Sequence, residues 1–140
     1  MTYKISFPAD FKNIAPLRDL AFHMTMLQGF DRQEAEHIRC IVDELATNAI
    51  EYGSQKTSEV NLELDADSKQ VKIICSDQGH GNRMKAVEIE KKIREPLPIG
   101  ANRGRGISLI VKNFAQEFDL RDREGGGIIA TAVVKKSISS

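Results

Sequence analysis

Ile38-Arg-Cys-Ile-Val-Asp-Glu-Leu-Ala-Thr-Asn-Ala-Ile-Glu-Tyr-Gly53 is the stretch from which the fold is best read. Ile38, Ile41, Val42, Leu45, Ala49 and Tyr52 recur at helical spacing and make one continuous apolar stripe, as a helix packed on a core requires. Upstream, Asp31 followed by Glu34 has the form of a capping box, so the helix is expected to open there. It should run to about Tyr52, with Gly53 in the C′ position. His37, Glu44 and Asn48 fall along one flank of the stripe, about a quarter-turn away.

Beyond Gly53 the period changes from helical to alternating. Val60, Leu62 and Leu64 alternate with Asn61, Glu63 and Asp65, and Val71, Ile73 and Cys75 alternate again after a turn at Ala66-Asp-Ser-Lys69. The pair predicts an antiparallel hairpin. On the other side, Ile5 and Phe7 before Pro8 predict a short first strand. Ile14, Leu17, Ala21, Met24 and Leu27 predict a helix from Asn13 that Gly29 stops, with Pro16 tolerated in its first turn. Toward the C-terminus, Met84 to Arg94 could form a short helix, and prolines and glycines from Pro96 to Gly106 then interrupt the chain. Ile107, Ile110, Val111, Phe114 and Phe118 predict a further helix. Phe118 to Arg121 and Ile128 to Val134 flank Glu124-Gly-Gly-Gly127 as a final hairpin. Strands gathered in hairpins with helices between them predict an α+β fold, a two-layer sandwich whose mixed, mostly antiparallel sheet carries helices on one face.

The chain has 140 residues, with 20 Lys and Arg against 20 Asp and Glu and no formal net charge. This length suits one domain spanning 1–140. The charge balance argues against a nucleic-acid partner, which usually calls for a basic excess or stripe. No apolar run approaches the ~18 residues of a membrane span, and the opening residues lack a signal-peptide core. The expectation is a cytoplasmic protein without membrane contact. Cys40 and Cys75, far apart and without paired spacing, indicate neither a disulfide framework nor a zinc site.

Three short segments carry chemistry. Glu44 and Asn48 stand at i and i+4, so a carboxylate and an amide oxygen face the same space. Such a pair suits a hard cation such as Mg²⁺ and a polarised hydroxyl, although an isolated E-x-x-x-N is more often two solvated residues. Asp77-Gln-Gly79-His-Gly81 follows a strand directly. Its glycines would let backbone approach a flat ligand, and Asp77 could accept a hydrogen bond from an exocyclic amine. A plain surface turn is the competing reading. Arg103-Gly-Arg-Gly-Ile-Ser-Leu-Ile110 places glycines at a helix start, where free N–H groups and two arginines could hold an anion. It is neither a P-loop nor a Rossmann fingerprint, and alone it could equally be a hinge.

Taken in order, Val42-Asp-Glu-Leu-Ala-Thr-Asn-Ala-Ile-Glu-Tyr-Gly53, Asp77-Gln-Gly-His-Gly81 and Arg103-Gly-Arg-Gly-Ile-Ser-Leu-Ile110 resemble the N, G1 and G2 boxes of the GHKL ATPase superfamily, to which histidine kinases, gyrase and MutL belong. Within it the chain is most similar to the small anti-sigma-factor serine-protein kinases of bacterial partner-switching systems, the RsbW- and SpoIIAB-like proteins. The resemblance implies ATP and Mg²⁺ as cofactors. It implies that Glu44 is the general base, Asn48 the magnesium ligand and Asp77 the acceptor of the adenine amine, with Gly79 and Gly81 shaping that wall. Gly104 and Gly106 match the G2 glycines, Arg103 and Arg105 would meet phosphate, and residues 82–103 match the ATP lid. The implied reaction phosphorylates a serine on an anti-sigma-factor antagonist. The other implied partner is a sigma factor, and relatives commonly form a homodimer. The family's closing Gly-Thr reads here as Gly127-Ile128, with Thr131 the nearest threonine downstream. That departure keeps a second reading open: a non-catalytic switch that holds a protein partner with weak or no nucleotide binding.

Overall fold

The structure, a computed structural model, describes residues 1–53, 58–78 and 113–137. Strand β1 (Thr2–Pro8) leads through a short 3₁₀ turn at Phe11–Asn13 into α1 (Ile14–Leu27) and α2 (Arg32–Asn48). A π turn at Ala49–Gly53 follows, then β2 (Glu59–Ala66), β3 (Gln70–Asp77), β4 (Glu117–Asp122) and β5 (Ile128–Lys135). The sheet order is β1-β2-β3-β5-β4, and every neighbouring pair among the described residues is antiparallel. The two expected hairpins are present, and β1 closes the sheet by pairing Phe7 with Val60 and Ile5 with Leu62. The helices expected over Met84–Arg94 and from Ile107 lie largely outside the described residues. Phe118, which fits both the spacing of that last helix and the strand after it, belongs to β4.

Alternation sorts the sheet into two faces. Val60, Leu62, Leu64, Val71, Ile73, Cys75, Ala130 and Ala132 face the helices and are buried. Against them α2 presents Ala35, Ile38, Ile41, Val42, Leu45 and Ala46, the stripe read from the sequence. Each large aliphatic side chain buried there contributes about 1.5–3 kcal/mol. The opposite face is more polar, with cross-strand pairs such as Lys4–Glu63 at 3.5 Å, exposed enough to add little to stability.

The two ends of α2 differ in geometry. At its start the capping box forms as expected. Asp31 accepts from the Glu34 amide at 2.7 Å, and the Glu34 carboxylate accepts from the Asp31 amide at 3.0 Å. The same Glu34 carboxylate also accepts from the amide and the hydroxyl of Ser137, each at 2.9 Å, tying the end of the sheet to the first turn of α2. Burial works upward on the Glu34 carboxyl, but those hydrogen bonds and the Lys136 charge together hold it below the usual range. Its folded-state pKa being lowered, the stability it contributes is present above the ordinary glutamate range and is lost as pH falls through the folded value. Glu34→Ala should lower stability by about 1 kcal/mol at neutral pH, read as a lower urea midpoint, and the deficit should shrink in acid.

At the far end α2 was expected to stay α-helical to Tyr52, whereas it ends at Asn48 and continues as a π turn. Extra donors on its last carbonyls account for this. The Asn48 side-chain amide donates to the Glu44 carbonyl at 2.6 Å, and the Cys75 thiol reaches the Leu45 carbonyl at 3.7 Å. Back-bonding of this kind competes with the helical ladder and bends it, and π turns of this kind gather at functional sites.

The ends of the described chain come together. The Met1 nitrogen donates to the Ala66 carbonyl and the Lys136 amide to the Lys69 carbonyl, each at 2.8 Å, on either side of the β2–β3 turn.

Candidate functional site

Glu44 and Asn48 occupy successive turns at the end of α2, each half-buried. Because the Asn48 nitrogen is spent on the Glu44 carbonyl, its Oδ1 is turned away from the helix backbone, the polarity a hard cation requires. Magnesium bound with few protein ligands takes the remainder from phosphate and water, so one amide oxygen at this position fits it. Burial, and then the neighbouring charges of Asp43 and Glu51, push the Glu44 carboxyl above its usual range. A raised carboxyl is a stronger base than an ordinary one, as a group that must accept a hydroxyl proton should be.

Asp77 ends β3 on the helix-facing side, two residues after Cys75, and is 4% exposed. Leu45, next to Glu44 in the chain, receives the Cys75 thiol, so the last α turn of α2 and the last residues of β3 meet at one corner of the sandwich. Burial, with the Asp77 charge adding to it, pushes the Cys75 thiol up to about 12. It is therefore a packing residue and not a nucleophile, in keeping with its expected place in the strand core.

Of the predicted residues, Glu44 and Asn48 thus stand on successive turns of α2, and Asp77 ends the strand whose Cys75 touches that same turn. Gly79, Gly81, Arg103, Gly104, Arg105 and Gly106 lie outside the described residues, as does the lid expected at 82–103. His37, on the same flank of α2 in the sequence, is not part of this corner. Its ring stacks on Phe114 at 4.1 Å, and it sits eleven residues before Asn48, about 16 Å along the helix.

Two contacts to Asp77 were not anticipated. Gly127 lies against its carbonyl, and the Arg123 guanidinium donates to that same carbonyl at 3.4 Å. The Glu124-Gly-Gly-Gly127 run held the signal, since consecutive glycines exceed what a hairpin turn needs. Ile128 follows on the face that carries Ala130 and Ala132, one residue beyond the Ser76–Ile129 pair that ends the β3–β5 register. Thr131 pairs with Ile74 and Asp119 on the other face of the sheet, so it does not stand in for a threonine beside Asp77.

Residues 7–132 match the model of the histidine kinase-like ATPase domain. The chain belongs to this family. The histidine kinase-like ATPase chain is also similar in fold to solved structures. One holds the RsbU and RsbW domains of Rv1364c from Mycobacterium tuberculosis, at 16% identity and a TM-score of 0.65. All of this chain is covered, but it spans only 34% of that longer one. Another is the catalytic domain of the histidine kinase ThkA, at 14% identity and a TM-score of 0.53, covering 98% of this chain and 99% of the other. A search among curated proteins returns no match. At these identities the neighbours establish the fold, and the family match establishes the class, an ATPase domain to which nucleotide binding belongs. Among the described residues no helix is long and apolar enough to cross a membrane.

Proposed function

We propose that this domain is a cytoplasmic anti-sigma factor and serine-protein kinase, using Mg·ATP to phosphorylate a serine on an anti-sigma-factor antagonist. The observation that carries the proposal is the pairing, on one stretch of α2, of a raised Glu44 carboxyl with an Asn48 whose oxygen is freed toward a cation. The RsbW domain in one structural neighbour supports the partner-switching context, and a sigma factor would be the alternative partner.

In this reading Asp77 accepts the hydrogen bond of the adenine amine. Asn48 Oδ1 would hold magnesium, which would supply neutralising charge to the phosphate oxygens. Gly79, Gly81, Gly104 and Gly106 admit the nucleotide closely, and Arg103 and Arg105 meet its phosphates. Glu44 accepts the proton of the attacking serine hydroxyl. Positioning and electrostatics supply most of the rate, because phosphoryl transfer asks little covalent chemistry of the protein.

Ile128 favours a second reading, a switch that binds its protein partner with weak or no nucleotide affinity. A buried aliphatic side chain stands where a hydroxyl could have helped hold a base beside Asp77. Calorimetric titration with a non-hydrolysable ATP analogue and Mg²⁺, followed by a transfer assay with the cognate antagonist, separates the two. Saturable binding and phosphoserine on the antagonist are expected. Binding without transfer would remove the kinase, and no binding would leave only the switch.

A further inference from the structure

The contacts around the last peptide of β3 point to a residue that no motif identifies. We propose that Arg123 is a positioning residue for Asp77, and that through it the β4–β5 turn sets the preference of the site for a base bearing an exocyclic amine. The inference rests on the nucleotide reading of the corner given above.

Arg123 closes the turn with two backbone bonds and joins it to β3 with a third contact. Its amide donates to the Gly127 carbonyl at 2.8 Å, and its carbonyl accepts from the Gly126 amide at 3.0 Å, closing the turn. Its guanidinium donates a long hydrogen bond of 3.4 Å to the Asp77 carbonyl. Gly127 bounds the same carbonyl from beside it. A Cβ at Gly127 would stand 2.1 Å from the Asp77 oxygen and 2.9 Å from its Oδ1. Asp77 pairs with Val60 of β2, but on the β5 side the last register pair is Ser76 with Ile129, so toward the turn the ladder stops one residue short of it. On that side the Asp77 carbonyl meets Arg123 and Gly127 in place of a strand partner, so the turn constrains the tilt of this peptide and, through it, the carboxylate.

That direction is what a hydrogen bond to an amine depends on. Such bonds weaken steeply as the angle at the donor closes, so a carboxylate rotated away keeps its charge but loses its discrimination. Arg123 is half-buried and reaches Asp77 across 46 residues of sequence, which makes it a tertiary contact and not a local turn bond.

The test compares Mg·ATP with Mg·purine riboside triphosphate, which lacks the amine, on native protein, Arg123→Ala and Arg123→Lys. In the native protein ATP should bind the tighter of the two. Arg123→Ala should weaken ATP about 5–10-fold and the amine-free nucleotide less than about 2-fold, so that the ratio between them narrows. Arg123→Lys should recover part of that ratio, since it retains a cationic donor. A general loosening of the fold would weaken both nucleotides alike, and that outcome, or an unchanged ratio, would overturn the role of Arg123. If the native chain binds neither nucleotide, or both equally, the reading of Asp77 as the amine acceptor fails first, and the role of Arg123 falls with it. Melting curves of all three proteins should coincide within a few degrees. If the alanine variant is unfolded, the lysine variant alone decides by the same ratio.

Discussion

Gly127→Ala should lower the stability of the fold by about 2–4 kcal/mol, a large loss for one methyl group added at a turn. Two costs combine. Gly127 has φ +94°, where an L side chain is strained by roughly 1–2 kcal/mol. The added Cβ would also meet the Asp77 carbonyl oxygen at 2.1 Å, and its carbonyl carbon and Oδ1 at 2.9 Å each. The closest of these atoms are backbone of a central strand, so the clash cannot be relieved by turning a flexible side chain. Gly125 provides the internal control. It has a comparable φ of +88° but nothing within 4 Å of the added atom. Gly125→Ala should therefore cost only the strain, roughly 1–2 kcal/mol. Urea denaturation of both variants measures the difference directly. Equal losses would mean that the contact with Asp77 does not constrain the turn.

Glu44→Gln should slow transfer of phosphate to the antagonist at least about 100-fold while leaving ATP affinity within about 2-fold. Glutamine keeps the shape and the hydrogen-bonding reach of the side chain but cannot accept the proton of the attacking hydroxyl. The environment of Glu44 gives this experiment a second axis. Burial first, then the charges of Asp43 and Glu51, raise its carboxyl. Activity should rise with pH as the carboxyl ionises, and the limb should move to lower pH in Glu51→Gln, which removes one of the repelling charges. Stability should follow the opposite sense. A folded-state value raised above the ordinary one means that any stability from Glu44 is fully present below the ordinary carboxylate range and is lost as pH rises through the folded value. Glu44→Gln should therefore be at least as stable as the native protein at neutral pH. Transfer lost without stability lost would mark a residue kept for chemistry. Transfer retained in the glutamine variant would remove Glu44 from the mechanism.

Much of this architecture was legible in the residues because packing rules leave a periodic imprint. The stripe from Ile38 to Leu45 and the alternation from Val60 to Cys75 each bury one face, so period and burial agree. The Asp31–Glu34 capping box was equally legible, because a cap is a local device. What the sequence concealed depended on contacts between distant segments. The continuation of α2 as a π turn involves the Cys75 thiol, thirty residues from the carbonyl it reaches. The bond from Arg123 to Asp77 and the close approach of Gly127 join segments that no spacing rule connects. Of the site, Glu44 and Asn48 were readable as helix neighbours and Asp77 as the residue closing a strand. The sharpened role of each came from its surroundings, in the repulsion around Glu44, the tethered nitrogen of Asn48 and the turn pressed against Asp77.

The bonds from Met1 to Ala66 and from Lys136 to Lys69 place both ends of the described chain beside the β2–β3 turn. Asp77 lies at the other end of β3, seven residues along from Gln70, or about 23 Å at the rise of an extended strand. Cargo grafted at either end would hang from the side of the sandwich remote from Asp77 and the proposed nucleotide site. An affinity handle, a fluorophore or a tether to a sensor surface could then be attached for the binding measurements without shading the proposed site.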